Sequence, residues 1–258
     1  MKSKITVPDL ETHNARERAA APEAYGQWMR VNCVIDPRDE IFRFFANHAS
    51  AGNPYREYLS DGWRTLSELM RFLEELGRPL VHTGSMLEFA AGFGRFTRHL
   101  APILGDRLTC SDVQLGSADF LAREFGVKSF FSNHDPARVA IPGRHELVFV
   151  LSMFTHIPPA MWAPWLRALH AAVAPGGHLV FSVHNERWSR EQGVPLGADG
   201  THFITDSESR SLTPETYGTT FTTREFVERT IRQALGREVA AYREITFWDG
   251  QDAVAVAA

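Results

Sequence analysis

The chain has 258 residues, of which 44% are hydrophobic and 22% charged, with a formal net charge of −4. This is an ordinary globular composition, long enough to bury a sizeable core without covalent staples, and its mild acidity offers no broad nucleic-acid-binding face. The two cysteines, Cys33 and Cys110, exclude a disulfide framework and a cysteine-based zinc cluster.

The opening stretch, MKSKITVPDLETHNARER, is polar and lacks the apolar core of a signal peptide. No uninterrupted apolar run approaches the length of a membrane span. A soluble, cytoplasmic protein with no membrane or nucleic-acid partner is therefore expected. Residues 1–25 read as a loosely docked arm. From residue 27 to 76 the pattern turns helical. One segment, Pro37 to Phe45, carries a proline and acids where helix starts prefer them. A second helix is expected from Asn53-Pro54 through Tyr55, Tyr58 and Leu59, interrupted at Gly62. A third runs from Thr65 to Leu76, with Leu66, Leu69, Met70 and Leu73 at helical spacing and Gly77 as its stop.

Strands and helices then alternate. Ser85–Ala90 reads as a strand entering a glycine turn, Glu88-Phe89-Ala90-Ala91-Gly92-Phe93-Gly94, and a helix follows at once with Phe96, Leu100, Ile103 and Leu104 on one side. A second strand ends in Asp112, and a third ends near Asn133-His134-Asp135. The fourth, Glu146–Leu151, is apolar after its first residue, as a central parallel strand should be. A helix from Pro159 is closed by Ala174-Pro175-Gly176-Gly177, and His178–His184 is the fifth strand. This rhythm predicts a parallel, doubly wound α/β sheet. Residues 185–220, rich in Gly, Ser, Thr and Pro, break it and read as a lid. Thr222-Thr223-Arg224-Glu225 reads as a capping box, and the tail from Glu238 reads as two strands joined at Trp248-Asp249-Gly250-Gln251.

A glycine turn between strand and helix lets backbone approach a ligand closely and presents free N–H groups to it. A nicotinamide dinucleotide is one candidate, but its fingerprint wants a third glycine where this chain has Thr97. An acid at Asp112 suits ribose hydroxyls and supports a nucleoside without choosing between cofactors. The pattern Glu88-x-Ala90-x-Gly92-x-Gly94 resembles the first motif of class I (Rossmann-like) S-adenosylmethionine-dependent methyltransferases. The resemblance extends over roughly residues 85–258. Asp112, Asp135, the segment Leu151–Ile157, the Ala-Pro-Gly-Gly turn and the terminal hairpin come in the family's order. The chain departs from it at Ala90, where the family has glycine. Alanine prefers ordinary φ, so an altered turn is expected there.

The resemblance implies a seven-stranded, mostly parallel sheet with the last strand antiparallel. An N-terminal helical cap would occupy residues 1–80, and the methyltransferase domain 81–258 would carry the insertion 185–221 as its lid. It implies S-adenosyl-L-methionine as cofactor and S-adenosyl-L-homocysteine as product. Glu88 would hold the methionine ammonium, unless it pairs with a nearby arginine, and Asp112 both ribose hydroxyls. Asp135 would lie near the adenine amino group, a task Asn133 or His134 could share. Ala90, Gly92, Gly94, Val113 and Ser152 would surround the cofactor, with Tyr58 of the cap over it. His156, after the fourth strand, resembles the histidine base of some small-molecule O-methyltransferases, or caps the helix at Pro158; His184 is the second candidate base. Trp188, Phe203, Tyr217 and Trp248 would wall an acceptor pocket. No metal is expected, because the strand ends lack clustered carboxylates. The expected activity is O-methylation of a small-molecule hydroxyl in a natural product or a sugar-containing metabolite. The alternatives are N-methylation of a small amine and, from another class, a non-catalytic cofactor-binding partner subunit.

Overall fold

The computed structural model describes residues 8–48, 52–206, 209, 212–248 and 250–258. Residues 1–7 of the expected arm, 207, 208, 210 and 211 of the expected lid, and Asp249 of the hairpin turn lie outside these.

Five strands form the parallel half of the sheet: β1 (Met86–Phe89), β2 (Leu108–Asp112), β3 (Lys128–Phe131), β4 (His145–Val150) and β5 (Val173–His184), in the order β3-β2-β1-β4-β5. The insertion contributes a short hairpin, β6 (Thr201–Ile204) and β7 (Thr219–Thr222), which pairs with β5 at His184↔Phe221. The tail forms β8 (Ala241–Phe247) and β9 (Gln251–Ala257). Strand β9 runs antiparallel to β5 from His178↔Ala257 to His184↔Gln251, and β8 pairs antiparallel with β9. The doubly wound, mostly parallel sheet with antiparallel final strands is thus as the sequence predicts, with nine strands among the described residues where seven are expected. The extra pair consists of four-residue, threonine-rich strands, too short to show a periodicity of their own.

Each face of the sheet buries a helical layer. On one side α7 (Trp162–Ala171) and α9 (Arg224–Leu235) bring Trp162, Leu166, Leu169, Val227 and Ile231 against Val148, Leu179 and Phe181. On the other, α4 (Pro54–Glu75) and α5 (Thr97–Leu104) place Leu69, Phe72, Leu73 and Leu100 against Phe149 and Val180. The box expected at Thr222 opens α9 one residue later: Thr223 Oγ1 accepts from Phe226 N at 3.0 Å, while Thr222, a β7 residue, donates to the His184 carbonyl.

Before the sheet come α1 (Leu10–Arg18), α2 (Tyr25–Met29), α3 (Glu40–Asn47) and the long α4. Two expectations change here. The arm is not loosely docked over α1. His13 and Asn14 are buried, the His13 ring meets the Cys33 carbonyl at 2.8 Å, and the Asn14 amide pairs with both backbone groups of Ile35 at 2.7 and 2.9 Å. A side-chain amide imitates a backbone there and satisfies a strand-like segment that has no sheet partner. Gly62, moreover, does not interrupt a helix, since α4 passes straight through it. A Cβ at position 62 would stand 2.1 Å from the Arg95 carbonyl and 2.8 Å from the His99 ring. Glycine costs a helix interior about 1 kcal/mol, and here it admits the close crossing of α4 over the start of α5.

Candidate active site

The site is built at the C-terminal ends of β1, β2 and β4, where parallel sheets hold their ligands. After β1 the chain turns through Ala90, Gly92 and Gly94, with φ of 62°, 57° and 83°. Ala90 does not avoid the left-handed region; it takes the conformation a glycine would adopt freely, at a cost of about 1–2 kcal/mol. Replacing Ala90 with glycine should therefore raise stability by about 0.5–1 kcal/mol once glycine's larger chain entropy is counted. Urea titration of the two proteins measures this, and a loss of stability would show that the alanine is unstrained. The two glycines serve different ends. A Cβ at Gly94 would lie 2.3 Å from the Phe125 ring, so this glycine seats the turn against α6 (Ser117–Phe125). A Cβ at Gly92 would meet nothing within 4 Å, and Gly92 borders a cavity.

That cavity has a volume of about 460 Å³, within the range of small-molecule sites. Its floor is the turn Ala90–Phe93 together with Asp112 at the end of β2, Val113 after it, and Leu151, Ser152 and Met153 after β4. Asn133 and His134, after β3, close one part of it. The N-terminal segment supplies Asp39, Glu40 and Ile41, and the insertion supplies Ser209, Leu212, Glu215, Thr216 and Tyr217. Cap and insertion meet where Ser209 Oγ donates to Glu40 at 2.8 Å.

Asp112 is buried, and its two oxygens each accept a backbone N–H, Oδ2 from Gly92 at 2.7 Å and Oδ1 from Gln114 at 2.8 Å. Burial pushes its carboxyl above the usual range, while these N–H groups oppose the shift. Each oxygen keeps acceptor capacity, so the pair can serve two adjacent hydroxyls. Ser152, at φ 58°, is held by Gln251 of β9, whose amide donates to its hydroxyl at 3.0 Å.

The structure brings Ala90, Gly92, Asp112, Val113, Ser152 and Tyr217 to the cavity wall, with Asn133 and His134, the alternatives to Asp135, and leaves the other expected residues out of it. Gly94 is turned toward α6 as described. Glu88 faces α5, where Thr97 donates to it at 2.7 Å beside the Cys110 thiol. Burial there pushes its carboxyl up to about 8, helped by nearby Asp112. Asp135 is exposed and bonds the Ala137 N–H at 2.9 Å, capping its own turn. Tyr58 is fully buried behind Asp39.

His156 stands behind Tyr217 rather than beside the cavity. Its ring stacks on Tyr217 with centroids 4.5 Å apart, and its Nδ1 lies 2.7 Å from the Gly218 carbonyl. Gly218 N returns a bond to the His156 carbonyl at 2.8 Å, and Thr220 N one to Thr155 at 2.7 Å. His184 is as buried as His156, between Trp188 and Phe221. Burial and the neighbouring His156 push its imidazole down to about 3, which makes it a weak proton acceptor at neutral pH. Trp188 packs on His184, Phe203 lies against Gly218, and Trp248 lies under the Arg95 guanidinium at 4.6 Å. These three aromatics support the walls without forming them.

The sequence gives neither Asp39 nor Arg95 a part in the site: the basic cluster Arg95, Arg98 and His99 reads as helix surface, whereas Arg95 lines the cavity and Arg98 and His99 are buried. Asp39 reads as the start of a helix, which it is, since its Oδ1 caps α3 by accepting from Phe42 N at 2.9 Å. Its burial depends on Tyr58, a helix away. Among the described residues no group of three or more metal-ligating side chains occurs, and no helix is long and apolar enough to cross a membrane.

A family profile described as a methyltransferase domain matches residues 55–234. No curated protein matches the chain. Among solved structures, the glycopeptide N-methyltransferase MtfA complexed with S-adenosyl-L-homocysteine superposes with a TM-score of 0.54 at 15% identity, covering 74% of this chain and 86% of its own. A DhpI–SAM–HEP complex gives 0.54 at 18% identity, covering 96% and 95%. Magnesium protoporphyrin IX methyltransferase (ChlM) from Synechocystis PCC 6803, with bound SAH, gives 0.54 at 11%, covering 97% and 100%. At these identities the likeness is one of fold.

Proposed function

The chain belongs to the methyltransferase-domain family, and on that premise we propose that it transfers the methyl group of S-adenosyl-L-methionine to a hydroxyl of a small molecule. The observation that carries this reading is the mostly apolar cavity over the glycine turn, closed on one side by the N-terminal segment and on the other by the insertion. Such a chamber suits a compact acceptor better than a polymer. The open space at Gly92 and the paired acceptor oxygens of Asp112 fit the nucleoside part of the cofactor. In this reading residues 1–80 act as cap, 81–258 as the catalytic unit and 185–221 as lid.

When bound, the cofactor supplies an already activated methyl on a sulfonium. The work left to the chain is to align the acceptor and exclude water. Met153, Ile157, Met161 and Ile41 offer apolar contact, and Tyr217 offers an aromatic wall backed by His156. Among the described residues, no histidine lines the β4 side of the cavity. A hydroxyl that yields its proton readily, such as a phenol, is therefore served better than an aliphatic alcohol. The second reading, N-methylation, is favoured by the carboxylates of Asp39, Glu40 and Glu215 in the same wall, which attract an amine.

Methyl transfer from isotopically labelled cofactor to panels of phenols and amines tests the choice. Transfer to phenols is expected. The His156→Ala variant should then lower the rate by about tenfold through a disordered Tyr217 while leaving the shape of the pH–rate profile intact. Loss of one limb of that profile would restore His156 as the base. Transfer to amines alone would overturn the hydroxyl reading, and firm cofactor binding with no transfer to either panel would indicate a non-catalytic partner subunit.

A further inference from the structure

Asp39 is buried more deeply than a helix cap requires. Capping uses one oxygen, and most capping acids sit at the surface. Here Oδ1 serves Phe42 N, and Oδ2 is held by the Tyr58 hydroxyl at 2.5 Å. Tyr58 in turn receives Arg98 Nη2 at 3.3 Å, and Arg98 Nε donates to the Gly94 carbonyl at 3.0 Å. A continuous hydrogen-bonded line therefore runs from the glycine turn through α5 and α4 to a carboxylate on the cavity wall. It fixes Asp39 relative to the turn rather than merely to its own helix.

Arg95 faces the same cavity from the turn just before α5. An ion pair with Asp61 and the Trp248 ring hold it in place. One ion pair does not exhaust the five donors of a guanidinium. Burial pushes the Asp39 carboxyl up and the Arg95 guanidinium down, and each charge opposes the shift of the other, which puts the two within electrostatic reach. An acid and a base thus border one cavity beside a glycine turn, while Glu88, the acid expected to face the cofactor's ammonium, lies outside that wall.

We propose that Asp39 and Arg95 together grip the zwitterionic amino-acid end of the cofactor, Asp39 taking the ammonium and Arg95 the carboxylate. The N-terminal segment is then part of the cofactor site and not only a cover for the acceptor. This rests on the cofactor assignment above. A carboxylate anchored by Tyr58 and a guanidinium anchored by Asp61 are pre-organised for such a ligand, and charge-assisted hydrogen bonds to fixed partners are the strong ones.

The test compares ligands with and without the amino-acid end. Isothermal titration of the full chain with S-adenosylmethionine, S-adenosylhomocysteine and methylthioadenosine, which keeps the nucleoside and sulfur but lacks the amino acid, should be repeated on Asp39→Asn. Asparagine remains a good helix cap. The variant should bind the first two ligands about tenfold more weakly and methylthioadenosine as well as the parent protein does. An unchanged affinity for S-adenosylmethionine, or an equal loss for methylthioadenosine, would overturn the assignment. Should Asp39→Asn fail to fold, Tyr58→Phe, which unpins the carboxylate without removing its charge, carries the same comparison with the same expected pattern. If the parent protein binds none of the three, the cofactor assignment itself fails, which is a distinct result.

Discussion

Replacing Asp112 with alanine should weaken cofactor binding by roughly 100-fold or more, because two hydrogen bonds to a charged group are lost at once. The two bonds are inferred from how the carboxylate is held. Each oxygen already accepts one backbone N–H, and these two bonds from Gly92 and Gln114 orient the plane of the group over the turn. Alanine removes the ligand contacts and also strands those two N–H groups, which lets the turn relax away from its binding shape. Asp112→Asn keeps one acceptor oxygen and should fall between parent and alanine. Stability should fall only a little in Asp112→Asn. Burial holds the Asp112 carboxyl above its usual range, so a neutral side chain relieves a buried charge, but the asparagine NH2 cannot accept and leaves one of the two backbone N–H groups unserved. Titration calorimetry and urea unfolding of the three proteins read both effects. Cofactor affinity of Asp112→Ala within threefold of the parent would sink the assignment.

The second large effect is on the fold. Arg98→Ala should cost about 3–5 kcal/mol of stability. The side chain is 1% exposed and donates to the carbonyls of Gly94, Asn32 and Val34 and to the Tyr58 hydroxyl. Its guanidinium also lies over the rings of Tyr58 and Phe125, at 5.2 and 5.1 Å. Truncation leaves those buried acceptors unserved and opens a cavity between layers. Lysine should not rescue the protein, since a point charge cannot reach three directions as a planar fork does. Denaturant titration measures the loss, and limited proteolysis should find residues 30–36 newly accessible. A loss below about 1 kcal/mol would show that water replaces the guanidinium at little cost.

The features legible in the sequence are those whose signal is local. The run of apolar fourth-strand residues and the glycine turn each announce their structure within a few positions, and the sheet follows from the alternation of strands and helices; Ala174-Pro175-Gly176-Gly177, expected to precede the fifth strand, instead lies inside β5, where the register shifts between His145↔Val173 and Leu147↔His178. The features that were not legible depend on what lies opposite. Gly62 reads as a break because glycine breaks isolated helices; only the Arg95 carbonyl facing it shows that the glycine admits a crossing helix. Glu88 and Asp39 illustrate the same point with charges. Both are acids beside the turn, yet Thr97 and Cys110 draw the first away from the cavity, and Tyr58 holds the second at its wall. His156 reads as a base from its position after β4, and its contact with Gly218, sixty-two residues on, reveals a different engagement.

The long helix α4 carries a mechanical implication. Its 22 residues make a rod about 33 Å long at 1.5 Å per residue. Tyr55, Tyr58 and Leu59 near one end are buried with Cys33, Ile35 and Phe42, whereas Leu69, Phe72 and Leu73 near the other are buried against the sheet. The rod is thus a beam clamped at both ends, with no joint along it where the N-terminal cluster could swing away from the sheet. The cavity wall formed by Asp39, Glu40 and Ile41 is therefore stiff. The opposite wall returns from the insertion on a few hydrogen bonds to Thr155, His156 and Ile157. On the proposed reading of the insertion as a lid, the chamber opens on that side, with the helical segment as its frame.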